Sequence, residues 1–218
     1  MTNLKIVSLN VGKPKVVQLN GKEVTTGFYK EAVHEPLYLS KLNFDGDGQA
    51  EAYHGGVDKA VCVYPYEHYA YWEQELNRKL SSVAFGENLT VTGMLESDVH
   101  IGDIFQIGQA VVEVTQPRRP CYKISGRHDV KDLTLRVQNS GYTGFYLRVL
   151  EEGDIGPDST IERLLLHPAQ VTVAFANEHM YHSLGHIEAI QQILAVDALS
   201  ESWRIKFMKH LEKWTTGI

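Results

Sequence analysis

The segment TQPRRPCYKISGR, residues 115–127, concentrates residue types that could do chemistry. It surrounds Cys121 with four cations in ten positions: Arg118, Arg119, Lys123 and Arg127. Cations close to a thiol stabilise its thiolate, which is the form that binds metals or attacks electrophiles. Pro117 and Pro120 restrict the backbone around the arginines, which favours a rigid presentation. The segment predicts an anion site with a reactive or metal-binding thiolate, and a solvated basic loop with an incidental cysteine is the alternative.

A second candidate is the loop 43–59, which contains the run His54-Gly55-Gly56. Paired glycines let the backbone approach a ligand and present N–H groups to an anion, and His54 and Lys59 add side-chain donors. A glycine turn between two strands is the alternative. Residues 45–48, DGDG, resemble a fragment of a calcium loop, but the glutamate required at its twelfth position is missing, so no calcium site is expected.

Weaker features are a turn and a few isolated side chains. Residues 85–89, FGENL, predict a turn entering a strand. Three histidines are spaced like metal ligands, but Gly185 interrupts their helix, so surface or interhelical positions are expected for His179, His182 and His186. Cys62 lies between two valines of a predicted strand, which favours a small buried apolar role. No Walker A or GxGxxG motif occurs, so nucleotide hydrolysis and Rossmann-type dehydrogenation have no support.

The composition narrows the classes of function. The chain has 218 residues, 43% hydrophobic, and a net charge of −6, which is an ordinary globular balance without a global basic field for nucleic acid. Two cysteines cannot build a disulfide framework, a four-cysteine zinc site or an iron–sulfur cluster. No apolar run is long enough for a membrane span. The start, MTNLKIVSLNVGKP, lacks a leader pattern, so we expect a cytoplasmic protein with no membrane partner.

Short apolar runs separated by glycine turns dominate the chain up to about residue 165, with one clear helix expected over residues 65–76. This pattern favours a barrel or sandwich. After Pro168 the pattern becomes helical and predicts three helices, the last with Ser200 as its N-cap. That helix has an apolar stripe formed by Trp203, Phe207, Leu211 and Trp214. We place a boundary near 165–170.

Taken in order, five segments resemble the MOSC family, the C-terminal domain of molybdenum-cofactor sulfurases, in its bacterial stand-alone branch of hydroxylaminopurine-resistance type. They are HGGVDKAVCVYPYEHYAYW (54–72), FGENL (85–89), SDVHIGDIFQIG (97–108), VTQPRRPC (114–121) and TGFYLRVLEEG (143–153). LSESWRIKFMKHLEKW (199–214) resembles the three-helix domain of that branch. The resemblance implies a mainly β, α+β fold, with a closed MOSC-type β-barrel at residues 1–166 and a three-helix domain at 167–218.

The resemblance also implies a molybdenum-pterin cofactor, with Cys121 as the metal ligand and a catalytic residue. The matching positions imply that the cofactor pocket is lined by His54, Gly55, Asp58, Lys59, Glu87, Asn88, Arg118 and Arg119. Among these we choose His54 as the catalytic proton donor, since histidine titrates near neutral pH. A soft thiolate suits molybdenum, and the pterin phosphate needs cations.

Relatives in this branch reduce N-hydroxylated compounds, including hydroxylaminopurine-type base analogues, to amines. The resemblance therefore implies a molybdenum-dependent oxidoreductase that detoxifies small N-hydroxylated bases. The chain has no flavin or nicotinamide fingerprint and too few cysteines for a cluster, so we expect an external reductase, a flavoprotein, to supply electrons.

Two other functions stay open at this point. One is a non-catalytic carrier of the cofactor or of sulfur. The other is a metal-free thiol enzyme with Cys121 as nucleophile and His54 as base. Trp203 and Trp214 could belong to a core, which we expect, or to an interface for a homodimer or the electron donor.

Overall fold

The computed structural model describes residues 4–183 and 185–216, and the predicted lack of a leader falls partly on residues 1–3, outside this range. The described chain contains strands and helices in a mixed α+β arrangement. The strands are β1 (Lys5–Val11), β2 (Lys15–Leu19), β3 (Lys22–Thr26), β4 (Glu31–Val33), β5 (Leu37–Leu39), β6 (Val61–Pro65), β7 (Leu89–Thr92), β8 (Ile104–Ile107), β9 (Ala110–Pro117), β10 (Phe145–Glu151), β11 (Gly153–Ile155) and β12 (Ile161–Leu165). The α-helices are α1 (Glu67–Glu75), α2 (Lys123–His128), α3 (Leu133–Ser140), α4 (Val173–Tyr181), α5 (Ile187–Leu194) and α6 (Glu201–Thr216).

Eight strands form one sheet in the order β12-β8-β9-β10-β6-β7-β1-β4. Most neighbours are antiparallel, whereas β6 and β7 are parallel, with Val63 opposite Leu89. Strands β11 and β5 form a small second sheet, and β2 and β3 form a hairpin whose turn, Asn20-Gly21, has positive φ at both residues. A two-residue turn of this kind matches the twist of the flanking strands.

The eight-stranded sheet does not close into the predicted barrel. Strands β12 and β4 are its two edges, and within residues 4–183 and 185–216 they share no ladder. An isolated bridge joins Lys5 to Thr160 but does not extend into a ladder. The edge strand β4 is only three residues long and is followed by Pro36, which cannot donate a ladder hydrogen bond. The sheet is therefore open and mixed.

The core of the body lies against this sheet. Alternate side chains of β9 and β10 are buried, among them Val112, Val114, Phe145 and Leu147. This alternation follows from the two-residue period of a strand, which sends successive side chains to opposite faces. The sheet thus presents a continuous apolar layer, and its strand ends carry the polar loops.

Two helices that the sequence did not predict, α2 and α3, follow directly after Cys121. Residues 123–128, KISGRH, include Gly126 and have weak intrinsic helix propensity. Their helix is stabilised by tertiary contacts, because Ile124, Leu133 and Val137 join a buried cluster with Trp72 and Phe85. The expected helix at 65–76 is present as α1.

The three helices expected after Pro168 are present as α4, α5 and α6, around a second core that contains Trp203 and Phe207. Ser200 Oγ accepts a hydrogen bond from Trp203 N at 3.3 Å, as an N-cap does. Trp214, however, is 52% exposed, so the predicted apolar stripe is shorter than expected. The 1–166 and 167–218 division stays a prediction.

Helix α6 is attached to the body by its first turn. Ser200 N donates to Thr115 O at 3.1 Å, Ser202 Oγ donates to Gln116 Oε1 at 3.1 Å, and Glu201 N donates to Asp58 Oδ2 at 3.3 Å. Within the described chain, no helix combines the length and the apolar character needed to cross a membrane.

Candidate functional site

An open cavity of about 610 Å³ lies where the ends of β6 and β9 meet the loops that follow β3 and β5. Of the predicted site residues, six line this cavity: His54, Lys59, Asn88, Arg118, Arg119 and Cys121. Segments far apart in the chain thus meet around one cavity, and five side chains of its wall are cationic, whereas none of the lining residues that the structure describes is acidic.

Cys121 stands between the end of β9 and the start of α2. Arg118 N donates to Gly144 O at 2.9 Å, which fixes the chain as it leaves the sheet. Lys123 N approaches Cys121 Sγ at 3.4 Å, and Ile124 N donates to Cys121 O at 2.9 Å. The half-buried thiol is therefore held by backbone contacts at the wall of the cavity.

Arg118 and Lys123 are buried cations without a counter-ion. Arg118 is 6% exposed and Lys123 is 2% exposed, and neither forms an ion pair within the described residues. Arg118 Nη1 is buried with no hydrogen-bond partner, although the guanidinium lies 5.8 Å from the Phe28 ring. An unpaired buried cation is costly. The cavity is therefore arranged to receive an anion.

The imidazole of His54 lies in the positive electrostatic field of Lys123 and Arg118. Burial, together with Lys123 and Arg118, lowers the pKa of its imidazole to about 4. The ring is therefore neutral at pH 7 in the absence of a bound anion, and an anion that offset the two cations would raise this pKa. The Tyr53 ring packs edge-on against His54 at a centroid distance of 4.4 Å.

Lys59 and Arg119 lie toward the outside of the cavity. Lys59 Nζ donates to Tyr53 O at 2.7 Å, and burial lowers the pKa of this lysine, with Asp58 opposing and Arg119 adding to the shift. Arg119 is exposed. These two cations are more accessible than the buried pair, Arg118 and Lys123, since Lys59 is half-buried and Arg119 is exposed.

Asn88 connects three parts of the wall. Its Oδ1 accepts from Cys62 N at 3.0 Å, and its Nδ2 donates to Asn10 O at 3.2 Å and to Asp47 Oδ2 at 2.9 Å. Asp47 also accepts from Gly12 N at 2.9 Å and pairs with Lys30. Asp47 of the DGDG run therefore connects the loop 43–59 to Gly12, Lys30 and Asn88.

Three predicted site residues lie outside the cavity wall. Gly55 packs against Gln49, since a Cβ there would meet Gln49 Oε1 at 2.8 Å. Asp58 binds the Arg148 guanidinium, with Arg148 Nη2 at 2.6 Å from its Oδ1. Glu87 is fully buried and accepts hydrogen bonds from other side chains and from a backbone amide: Tyr69 Oη at 2.5 Å, Thr90 Oγ1 at 2.9 Å and Phe85 N at 3.1 Å.

Sequence reasoning missed several wall residues, above all Cys62 and Tyr146. They are directly opposite each other in the antiparallel pair of β6 and β10, so their side chains share a face. Cys62 is buried, as expected, but it also lines the cavity, and burial raises the pKa of its thiol against the opposing effect of Arg118.

Close backbone packing also shapes the wall. A Cβ on Gly27 would meet Gly48 O at 2.1 Å, so the loop after β3 can contact the loop 43–59 only through a glycine. Nothing in the sequence pattern pointed to this contact.

The three histidines after residue 178 are not arranged as metal ligands. His179 Nδ1 pairs with Phe175 O at 2.9 Å, and His182 and His186 are exposed. Across residues 4–183 and 185–216, no group of three or more His, Cys, Asp or Glu side chains could hold a metal ion.

Two family models match the chain. Residues 50–162 match the MOSC domain and residues 171–213 match the YiiM-like, 3-alpha helix domain. The chain belongs to the MOSC family, in the stand-alone bacterial branch that carries this helical domain.

Three relatives illustrate the match. The Bacillus subtilis (strain 168) protein YflK is 50% identical over 209 residues, covering 95% of both chains. The crystal structure of YiiM from Geobacillus stearothermophilus has a TM-score of 0.83 and 39% identity, covering 95% of this chain and 99% of that one. A Gibberella moniliformis (strain M3125 / FGSC 7600) protein named as a reductase is 36% identical over 163 residues, which are 73% of this chain and 29% of that protein.

Proposed function

We propose that the chain is a molybdenum-cofactor-dependent reductase of small N-hydroxylated compounds, including hydroxylaminopurine-type bases. The observation that carries the proposal is the unpaired Arg118 guanidinium, buried beside Lys123 and the half-buried Cys121 thiol. Membership of the MOSC family, and a relative named as a reductase, support it.

The donor set fits the cofactor that the family implies. A pterin cofactor carries a phosphate and soft sulfur ligands to molybdenum. Arg118 and Lys123 would hold anionic oxygens, because their buried charges lack a counter-ion. Cys121 would supply a thiolate to the metal, a choice that suits a soft ligand environment. Asn88 would shape the wall, since the three hydrogen bonds of its side chain go to other parts of the protein.

When bound, the cofactor supplies the two-electron redox chemistry of the reaction. The balance is one N-hydroxylated molecule plus two electrons and two protons, giving one amine and one water. His54 is the residue we assign to hold a proton. Its pKa of about 4 makes it neutral in the anion-free cavity, and occupation of the anion site would restore its ability to carry a proton at neutral pH.

The electrons would come from a separate reductase, a flavoprotein. The chain itself contains no dinucleotide-binding glycine motif and only two cysteines. A partner must therefore approach the cavity from the solvent side, which its open form allows.

The direct test uses protein from cells that make the cofactor. We expect about one molybdenum per chain and reduction of hydroxylaminopurine with dithionite-reduced methyl viologen as donor. Cys121→Ser should lose both the metal and the activity. Cys62→Ser, which alters the second thiol of the same cavity, should keep the metal.

Each alternative predicts a different result. Molybdenum bound by Cys121 without turnover of any N-hydroxylated compound would favour a carrier of the cofactor or of sulfur. Turnover by metal-free protein that disappears in Cys121→Ser would favour a thiol enzyme. Full metal content in Cys121→Ser would contradict the assignment of this cysteine as ligand.

A further inference from the structure

Lys59 and Arg119 line the outer part of the cavity, and Lys206 lies close enough to both for their charges to act on it. We call these three cations the entrance cluster. Two belong to the body, and Lys206 belongs to α6. The helical domain thus adds a charge to a site that otherwise lies within the body.

The position of Lys206 follows from how α6 is attached. Ser202 Oγ donates to Gln116 Oε1 at 3.1 Å, and Gln116 is three residues before Arg119. Lys206 is one helical turn beyond Ser202, on the same face of α6, which directs it toward this end of β9.

The cations of the cluster repel one another without a compensating ion pair. Burial, then Arg119 and then Lys59, lower the pKa of Lys206. In the described chain, neither Arg119 nor Lys206 lies within 4.0 Å of a carboxylate. Such a concentration of positive charge is notable in a protein with a net charge of −6, and it favours binding of an anion.

The entrance cluster differs in solvent exposure from the buried cations of the same cavity. Arg118 and Lys123 are nearly inaccessible, whereas Arg119 is exposed and Lys206 is half-buried. A cofactor with one phosphate is served by the buried pair. Although sequence resemblance placed Arg119 among the cofactor contacts, its exposed position leaves it available for a second anion.

Two exposed aromatic side chains adjoin residues of the cavity wall: Tyr53 contacts His54 and Lys59, and Tyr122 follows Cys121 in the chain. Tyr53 is 64% exposed and Tyr122 is 54% exposed, and Tyr53 packs against His54. Exposed aromatic rings beside cations suit a planar base joined to an anionic group.

We propose that the entrance cluster binds the phosphate of a nucleotide, so that the substrate is an N-hydroxylated base in its nucleoside 5′-monophosphate form. The substrate part of this inference rests on the proposed function. A phosphate satisfies several cations at once through charge-assisted hydrogen bonds. Partial burial of Lys59 and Lys206 makes the cluster recessed, which suits a small anion better than the surface of an acidic protein.

The kinetic test compares hydroxylaminopurine, its ribonucleoside and the ribonucleoside 5′-monophosphate, with reduced methyl viologen as donor. We expect kcat/KM for the monophosphate to exceed that for the nucleoside by roughly tenfold, mainly through KM. Lys206→Gln should remove most of this preference, and Lys209→Gln, an exposed neighbour on the same helix, should keep it. Equal values for nucleoside and monophosphate in the unaltered protein would overturn the proposal.

A binding test needs no turnover. Isothermal titration of the holoprotein should give a dissociation constant for adenosine 5′-monophosphate roughly tenfold below that for adenosine, and weaker binding at higher salt. Lys206→Gln should weaken monophosphate binding by about the same factor without changing the melting temperature. If inorganic phosphate binds as tightly as the nucleotide, the site takes phosphate alone and the nucleotide assignment is wrong.

The two tests separate the possible failures. If hydroxylaminopurine is reduced but the monophosphate is neither preferred nor better bound, the proposed function stands and the entrance assignment fails. If no N-hydroxylated compound is reduced yet the nucleotide binds through Lys206, the proposed function is wrong and the nucleotide site at the entrance cluster stands. If Lys206→Gln lowers the rate only with a flavoprotein donor, the cluster is a docking surface for an acidic partner, and the nucleotide proposal is wrong.

Discussion

The cavity around Cys121 differs from a second, larger hollow, which we call the groove, between α1, α3 and α4. The groove has about 1520 Å³ of empty volume, against about 610 Å³ for the cavity. It is lined by carboxylates and aromatic rings, including Glu67, Glu96 and Tyr142, whereas the wall of the cavity is cationic.

In the groove the charged groups have partners. Glu96 Oε2 lies 2.6 Å from His68 Nε2, and Glu96 Oε1 accepts from Gly144 N at 2.7 Å. Tyr142 stacks on His68 at 3.9 Å. The exception is a neutral atom, Asn177 Oδ1, which is buried without a hydrogen-bond partner.

The difference teaches that volume alone does not identify the site. In the groove, the Glu96 carboxylate already has partners that stabilise the fold. In the cavity, the buried charges of Arg118 and Lys123 have no counter-ion among the residues that the structure describes. A protein tolerates an unpaired buried cation where a ligand supplies the missing charge. Substitutions of the groove carboxylates should therefore reduce stability. Substitutions of the buried cavity cations should reduce function and leave stability unchanged or slightly higher.

The largest effect on stability is expected in the groove. Glu96→Ala removes the partner of His68 and of Gly144 N, so we expect the free energy of unfolding to fall by about 3 kcal/mol. Urea denaturation measures this change. Glu178→Ala, at an exposed position of the same groove, should change it by less than about 0.5 kcal/mol. Similar losses in both variants would contradict the contrast.

The opposite behaviour is expected in the cavity. Arg118→Met replaces an unpaired buried cation by an apolar side chain, so the cofactor-free protein should be as stable or about 1 kcal/mol more stable. The same variant should retain much less molybdenum, as elemental analysis would show. A clear loss of stability in the cofactor-free protein would indicate that Arg118 serves the fold, as Glu96 does.

The last effect concerns the pH dependence that the titration of His54 gives to stability. Its native pKa of about 4 is below the ordinary value of 6.5, so the unfolded chain binds a proton between these values that the native chain does not. The contribution of His54 to stability should therefore fall as the pH is lowered from 6.5 toward 4.

Histidine ring NMR measures this pKa directly. Addition of pyrophosphate to the cofactor-free protein should raise the pKa of His54, because the anion offsets Lys123 and Arg118. The exposed His182, in the groove, serves as the internal control, since pyrophosphate bound in the cavity should leave its ring resonances unchanged. An unchanged His54 titration would show that the anion binds elsewhere.

The parts of the site that the sequence predicted are those close together in the chain. Cys121 and its cations are visible because they share one short segment, and the run at His54 is visible because of its glycines. Cys62 could not be placed, since a one-residue shift in the register of β6 would send its side chain to the other face. Asp58 and Glu87 matched family motifs, but their partners, Arg148 and Tyr69, come from other elements.

The fold shows the same limit. The strand-rich body and the three final helices follow from periodicity, whereas closure of a sheet depends on pairing between distant edges. Helix α2 was hidden because its residues favour a helix only when packed on Trp72 and Phe85. Non-local contacts decided each of these points.

The hydrogen bonds of Asp58 have a consequence for how the chain could be divided. One carboxylate receives Arg148 of the sheet and Glu201 N of the last helix, and the next residue is Lys59 at the entrance of the cavity. The MOSC segment and the three-helix segment match separate family models, but both form hydrogen bonds with Asp58 beside the cavity. A shortened protein ending near residue 166 would lose a hydrogen bond to Asp58 and the charge of Lys206, so the helical domain contributes directly to the surroundings of the cavity.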